Sequence, residues 1–388
     1  MRVSCLQENL AKGLSIVGRA VATRSTLPVL SNILLATDQG RLKLSATNLE
    51  IGITCWIGAK VEEDGATTVP ARTFVDLVGA LPAERVDMEL VVRTQTLNLK
   101  CGRFENNVRG IDATDFPLIP GADDAKAIRM DSETLRTMIN QVVFAAATDE
   151  SRPILTGVLA KFENDSSGAG RVLFAASDGF RLSVRTAPLI EPVAAPTSGA
   201  GYSVIIPARA LAELSRISGD QEGPVTITIT PSKSQVLFHL DHIDLVSQLI
   251  DGNFPDYTQI IPKKKETRTV VGAAELLKAC KAANVFARES ANIVKLTIEP
   301  GSEIAPGHIT MQATSAETGD NVGEMDATVE GVPIQIAFNV KYLIDLLSAA
   351  NAAQVALETS TPSSPGKFTP VGDDAFLCVV MPMHIGNR

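Results

Sequence analysis

DSETLRTMINQVVFAAA, residues 131–147, reads as an amphipathic helix opening a unit, and the chain carries it three times. QENLAKGLSIVGRAV at 7–21 and GAAELLKACKAANVFARE at 272–289 are the other two copies. A second helix follows later in each unit, at 70–82 (PARTFVDLVGALP), 207–219 (PARALAELSRISG) and 338–351 (FNVKYLIDLLSAAN). The first helices start 124 and 141 residues apart and the second helices 137 and 131 apart. One third of 388 residues is about 129, which is domain size and too long for a solenoid repeat.

Between the helices lie alternating apolar stretches with turn residues, the pattern of strands. The first unit offers 30–37, 41–47, 50–57, 88–94, 96–102 and 108–111; the second LTGVLAKFE, RVLFAAS, RLSVRTA, YSVIIP, VTITIT, QVLFHL and DLVSQLI; the third NIVKLTIEP, HITMQAT, VGEMDATV, IQIAFN, QVALET and FLCVVMPM. Each unit is therefore α+β, two helices covering one face of a mostly antiparallel sheet. Asp115-Phe116-Pro117 is answered by Asn253-Phe254-Pro255, and the bends Thr47-Asn48-Leu49-Glu50, Ser177-Asp178-Gly179-Phe180 and Ser315-Ala316-Glu317-Thr318 recur at 130 and 138 residues. Polar or proline-bearing stretches at 119–126 and 261–268 place domain limits at 1–124, 125–262 and 263–388. Gly- and Ser-rich segments at 164–170 and 196–201 read as loops.

Composition excludes several classes. At 45% hydrophobic and 20% charged the chain is an ordinary globular protein. The N-terminus lacks an apolar signal region and no 18-residue apolar run exists, so the expected location is cytoplasmic, with no membrane partner. Five scattered cysteines show no metal-ligand spacing and read as small buried hydrophobes; His239 and His242, near Asp241, read as residues of a strand bend. No metal and no cofactor is expected. There is no P-loop, GxSxG, HExxH or dinucleotide turn, and Ser177-Asp178-Gly179 has no suitably placed histidine, so no enzyme activity is expected. A net charge of −9 argues against broad adhesion to nucleic acid, though not against a protein that surrounds it with few contacts.

The second helices share a cation at one offset, Arg72, Arg209 and Lys341, with Pro70 and Pro207 expected at the first helical position. Positive charge there opposes the helix dipole at about 0.3–1 kcal/mol each, which suggests an anion passing that end. Lys12, Arg19, Lys278, Lys281 and Arg288 lie off the apolar stripes of the first helices. A 130-residue domain is roughly 36 Å across; three in a triangle leave a hole of about 6 Å and six in a hexagon roughly 36 Å. Only the second admits a duplex roughly 20 Å wide. One chain would be half a ring. The competing reading is a three-domain interaction scaffold that never meets DNA, which would be a monomer or a dimer without a hole.

Three units, Arg24-Ser25-Thr26-Leu27-Pro28-Val29-Leu30, the Asp-Phe-Pro and Asn-Phe-Pro-Asp-Tyr segments and the ending Val379-Val380-Met381-Pro382-Met383 together resemble the bacterial β sliding clamp family, the DNA polymerase III beta subunit, along the whole chain. The resemblance implies a DNA polymerase processivity factor in DNA replication: a head-to-tail homodimer whose two chains close a six-domain ring, helices lining the hole, double-stranded DNA threaded through without sequence readout. It implies a hydrophobic peptide pocket between the second and third domains for the replicative polymerase, the clamp loader and repair polymerases. The matching positions are Leu155, Ser177, Gly179, Phe180, Arg181, Leu182, Pro255, Ile260, Val379, Met381, Pro382 and Met383. Relatives often carry a basic residue at the position of Gln259 and histidine at that of Phe180, and the tail 384–388 runs past the usual end. The dimer interface implied is Arg103–Arg109 against the region of Val285, Phe286, Glu289 and Lys295, with Val108 and Phe286 as apolar centre. Arg24 and Arg152 match positions near the hole and join Arg72, Arg209 and Lys341 as DNA-contacting residues.

Overall fold

Five of the six α-helices among the described residues begin at the residue after a strand ends, and the sixth one residue later. The computed structural model describes residues 1–121, 127–193, 201–303 and 305–384; the parts of the predicted limit at 122–126, of the loop at 196–200 and of the tail at 385–388 lie outside them. The first helices are α1 (Gln7–Val17), α3 (Ser132–Val142) and α5 (Ala273–Ala287), and the second helices α2 (Ala71–Ala80), α4 (Ala208–Ile217) and α6 (Val340–Ala350). The expected 7–21 and 131–147 are thus shorter, each ending in a 3-10 turn, Gly18–Ala20 and Val143–Ala145. In α1 the stripe Leu10, Leu14 and Val17 is fully buried, each such side chain contributing about 1.5–3 kcal/mol of transfer free energy.

One expectation shifts by a residue. Pro70 is the last residue of the strand Ala66–Pro70 and caps α2, with extended backbone; Pro207 likewise closes Tyr202–Pro207 ahead of α4. Proline suits that place because it has no N–H to give to the ladder. Arg72 and Arg209 remain in the opening turns. Six short strands escaped the sequence pattern, Arg2–Leu6, Lys60–Glu63, Ala66–Pro70, Ile128–Met130, Thr267–Gly272 and Gly366–Pro370. Three of them, Arg2–Leu6, Ala66–Pro70 and Thr267–Gly272, run straight into a helix with no residue between. Residues 92–94, read as strand, form a 3-10 turn instead.

The chain packs as two units, Met1–Glu133 with Glu213–Leu249, and Thr134–Ala212 with Ile250–Arg388. Every strand pairing described is antiparallel. In the first unit a five-stranded sheet has the order Lys60–Glu63, Arg2–Leu6, Arg85–Val91, Thr96–Cys101, Phe104–Arg109. An eight-stranded sheet holds Ile128–Met130, Val225–Ile229, Gln235–His239 and Ile243–Gln248, then Ile51–Gly58, Arg41–Thr47, Asn32–Asp38 and Ala66–Pro70. The two groups of four join where Ile243–Ser247 meets Cys55–Ile51. The second unit has one twelve-stranded sheet with the same kind of join, Arg181–Arg185 against Val380–Phe376. Besides the outer strands that run beside the helices' entry points, open sheet edges among the described residues include the outer side of Phe104–Arg109 and the side of 319–327 away from Gly307–Ser315.

The three matching bends fold alike. Thr47 Oγ1 accepts from Leu49 N and Asn48 Oδ1 from Ile51 N; Ser177 Oγ accepts from Gly179 N and Asp178 Oδ1 from Phe180 N; Ser315 Oγ accepts from Glu317 N and Thr318 N. Short polar side chains replace the missing ladder bonds, so the chain can reverse without burying an orphan donor. Gly179 has φ +92°, where a side chain would be strained.

All five thiols are free and buried. Burial pushes Cys5, Cys280 and Cys378 up to about 12 and Cys55 up to about 11. Unfolded thiols ionise near 8.5, so these groups' contribution is complete below that pH and is lost as pH rises toward 12, by about 1.4 kcal/mol per pH unit per thiol. A maleimide at pH 8 should leave the native protein unlabelled and modify five sites after unfolding in urea; rapid native labelling would contradict this burial.

Among the described residues no group of three or more His, Cys, Asp or Glu is placed to hold a metal ion, and no helix is long and apolar enough to cross a membrane. His239 Nδ1 lies 2.5 Å from Asp244 Oδ1, a local pair at the strand bend.

Candidate functional site

The join in the second unit carries an apolar surface. Leu182 and Val379 are opposed across it and buried in one cluster with Leu159, Ala175, Val184, Ile205 and Tyr257. Ile154, Phe254 and Ile261, the sequence neighbours of Leu155, Pro255 and Ile260, pack against that cluster. Next along the chain from these residues come exposed apolar groups: Phe180 at 55%, Ile260 at 39% and Met381 at 37% exposure. The chain leaves the sheet in an extended run tied at both ends, Met381 N donating to Phe180 O and Met383 N to Ala337 O, each at 2.8 Å. Leu155, Pro382 and Met383 are half-buried and Pro255 is exposed. Leu155 is fixed by its backbone, N donating to Arg152 O and O accepting from Ala147 N. A floor of aliphatics with flexible methionines at its edge can accept an apolar side chain of varied shape.

Polar groups around it are committed to structure. Ser177 Oγ donates to Arg181 O at 2.7 Å. The Arg181 guanidinium bonds Asp178 Oδ2 at 3.1 Å and Asp345 Oδ2 at 2.5 Å. It also stacks 4.4 Å from the Tyr342 ring centroid and 5.5 Å from that of Phe144. Arg181 therefore serves as a tie beneath the bend, a role the sequence did not show. Gln259 is held by Asp256, Nε2 to Oδ2 at 3.0 Å; the Thr258 hydroxyl, then this bond and the Thr258 N–H, keep the Asp256 carboxyl below its usual range. Burial raises the Tyr257 phenol.

Arg24, Arg72, Arg152, Arg209 and Lys341 are all exposed, and none makes an ion pair among the described residues. Of the first-helix cations, three are paired, Lys12 with Asp220 at 2.6 Å, Arg19 with Glu213 at 3.2 Å and Arg288 with Glu289 at 3.2 Å, while Lys278 and Lys281 make no ion pair among the described residues. Arg152 also reaches the bend of the apolar site, since a Cβ on Gly179 would lie 3.1 Å from its Nη1. Arg103 lies in the two-residue turn before the edge strand and is exposed. Val108 is buried on the inner face of that strand opposite Leu97, while Phe104 on the same face is 56% exposed. Val285 and Glu289 are exposed and Phe286 half-buried, near Gly319 at the start of the other free edge.

Sequence profiles of the DNA polymerase III beta subunit match the chain end to end, its N-terminal domain over 1–120, its central domain over 129–256 and its C-terminal domain over 258–384. The Synechocystis sp. beta sliding clamp is 33% identical, covering 100% of both chains. The chain belongs to the beta sliding clamps. It is a DNA polymerase processivity factor built of three clamp domains. Among solved clamps, that of Bacillus subtilis superposes with a TM-score of 0.90 at 30% identity, covering 99% of each chain. The Pseudomonas aeruginosa sliding clamp bound to griselimycin gives 0.88 at 28% identity, over 99% of this chain and 100% of that one.

Proposed function

We propose that two copies of this clamp close head to tail into a ring of six domains around double-stranded DNA, working in the cytoplasm. The domains would be 1–124, 125–262 and 263–388. The observation that carries this reading is a pair of open edges, Phe104–Arg109 and 319–327, on strands that correspond to those meeting at the two internal joins. Both internal joins unite four strands of one domain with four of the next, and the remaining two groups, five strands ending at Phe104–Arg109 and four beginning at 319–327, would be the halves of a third join. One chain lacks a neighbour to complete it; a second copy supplies both halves at once. Arg103, Val108, Val285, Phe286 and Glu289 would then line the subunit interface.

Within the ring Arg24, Arg72, Arg152, Arg209 and Lys341 would meet phosphates. A few scattered, exposed cations give weak and non-specific contact, compatible with sliding. The pocket built on Leu155, Ser177, Gly179, Phe180, Arg181, Leu182, Pro255, Ile260, Val379, Met381, Pro382 and Met383 would hold short peptide motifs of the replicative polymerase, the clamp loader and repair polymerases, one at a time. The protein would act by tethering, without catalysis of its own.

Primer extension by the cognate polymerase under single-encounter conditions tests the reading. Addition of this protein and a loader should lengthen the products at least tenfold; unchanged product length would refute it.

A further inference from the structure

Side chains alternate across the sheet that closes the second join. Leu357, Phe368 and Cys378 belong to the core that α5 and α6 cover, so their neighbours Glu358, Lys367 and Val379 lie on the face away from those helices. The ladder sets these side chains in one row. Leu182 opposes Val379, Val379 opposes Lys367, Lys367 opposes Glu358, and Glu358 opposes Arg268. At about 5 Å per strand, Lys367 stands one step from the apolar floor of the pocket and Arg268 three steps, about 15 Å.

The chain that follows the pocket reaches the same place. Ile261 packs against the floor, and Pro262-Lys263-Lys264-Lys265 comes next. An extended chain spans at most about 3.6 Å per residue, so the Cα atoms of Lys263 and Lys264 lie within about 11 Å of that of Ile261. Ser360 Oγ donates to Lys264 O at 2.7 Å and Glu266 N to Thr359 O at 2.9 Å, which pins the segment to the end of the strand carrying Glu358. There the Glu358 carboxylate pairs with Lys265 at 2.7 Å and with Lys367 at 3.2 Å. One carboxylate shared by two ammonium groups leaves net positive charge, and each ammonium keeps N–H donors to spare. Lys263 and Lys264 are exposed and make no ion pair among the described residues. These five cations face three acids, Glu358, Glu266 and, opposite Arg268, Glu330, in a chain whose acids outnumber its cations 44 to 35.

We propose, on the reading that the pocket holds partner peptides, that this lysine patch is its electrostatic rim and selects partners carrying acidic side chains close to the apolar anchor. An extended peptide advances about 3.3 Å per residue, so aspartates or glutamates up to about four positions from an anchor on Val379 come level with the patch. Flexible lysine stems can follow acids at different positions, so partners need share only charge there. Exposed pairs of this kind add selectivity and encounter rate more than raw affinity. Lying on the face away from α5 and α6, the patch is off the path of a duplex in a hole that the helices line, which favours a peptide over DNA as its occupant.

Fluorescence polarisation on the full-length protein tests this with two labelled peptides that share a Leu-Leu-Phe core and differ only in its flanks, aspartates in one and asparagines in the other. Wild type should bind the aspartate peptide about tenfold more tightly at low ionic strength, the combined effect of two or three exposed ion pairs. The advantage should shrink below about twofold at about 1 M salt, where the screening length is about 3 Å. Lys263→Glu with Lys264→Glu should invert the order of the two peptides while the melting temperature stays at the wild-type value, since both side chains are exposed and unpaired. Equal affinities in wild type, or a preference that the charge reversal leaves in place, would overturn the rim and leave the pocket intact. Binding of neither peptide would overturn the pocket and the rim together. Displacement of the aspartate peptide by an equal concentration of a short DNA duplex would assign the lysines to nucleic acid and overturn the proposal.

Discussion

Replacing Arg181 with alanine should lower the unfolding free energy by about 3 kcal/mol, read as a shift in urea midpoint with unchanged slope. Its side chain is 12% exposed and bonds Asp178 and Asp345, whose side chains are 14% and 42% exposed. Removing the cation leaves two carboxylates facing each other across the space it filled and strips the stacking on Tyr342. Solvent reaches Asp345, which holds the cost at the low end of the range for buried pairs. Asp178 also anchors the bend through Phe180 N and Arg181 N, so peptide affinity should fall together with stability. Arg181→Lys keeps the charge but not the fork and should recover less than half of the loss. A loss below about 1 kcal/mol for the alanine variant would show that the tie contributes little.

Truncating Met381 and Met383 together to alanine should weaken a bound polymerase peptide by about 100-fold, two anchors at somewhat over 1 kcal/mol each. Both methionines hold the chain through backbone N–H groups, to Phe180 O and Ala337 O. Those bonds survive truncation, so the melting temperature and subunit association should stay near wild type while affinity, measured by fluorescence polarisation, collapses. Affinity within threefold of wild type would place the peptide elsewhere.

The helices were legible in the sequence because their apolar stripes repeat at helical spacing, and the bends because Thr, Ser, Asn and Asp hydroxyls and carboxylates mark chain reversals. Register was not legible. Nothing near Ile51–Cys55 says that it meets Ile243–Ser247, and strands as short as Arg2–Leu6 pass into α1 without punctuation. In the site, Leu182 and Val379 could be matched by resemblance, but the duty of Arg181 depends on Asp345, 164 residues away. Likewise the exposure of Phe104 belongs to packing, which no local pattern encodes. Arg24, Arg72, Arg152, Arg209 and Lys341 were chosen by repeat and resemblance; their freedom from ion pairs became visible only in three dimensions.

The claim that this clamp holds DNA by enclosure is tested most directly by loading it on a nicked circular plasmid, removing free protein, and cutting the plasmid once. Enclosure predicts that the protein stays on the circle through gel filtration and comes off within minutes of linearisation, at a salt concentration where simple phosphate contacts fail. Equal retention on circular and linear DNA, or release from both, would contradict it.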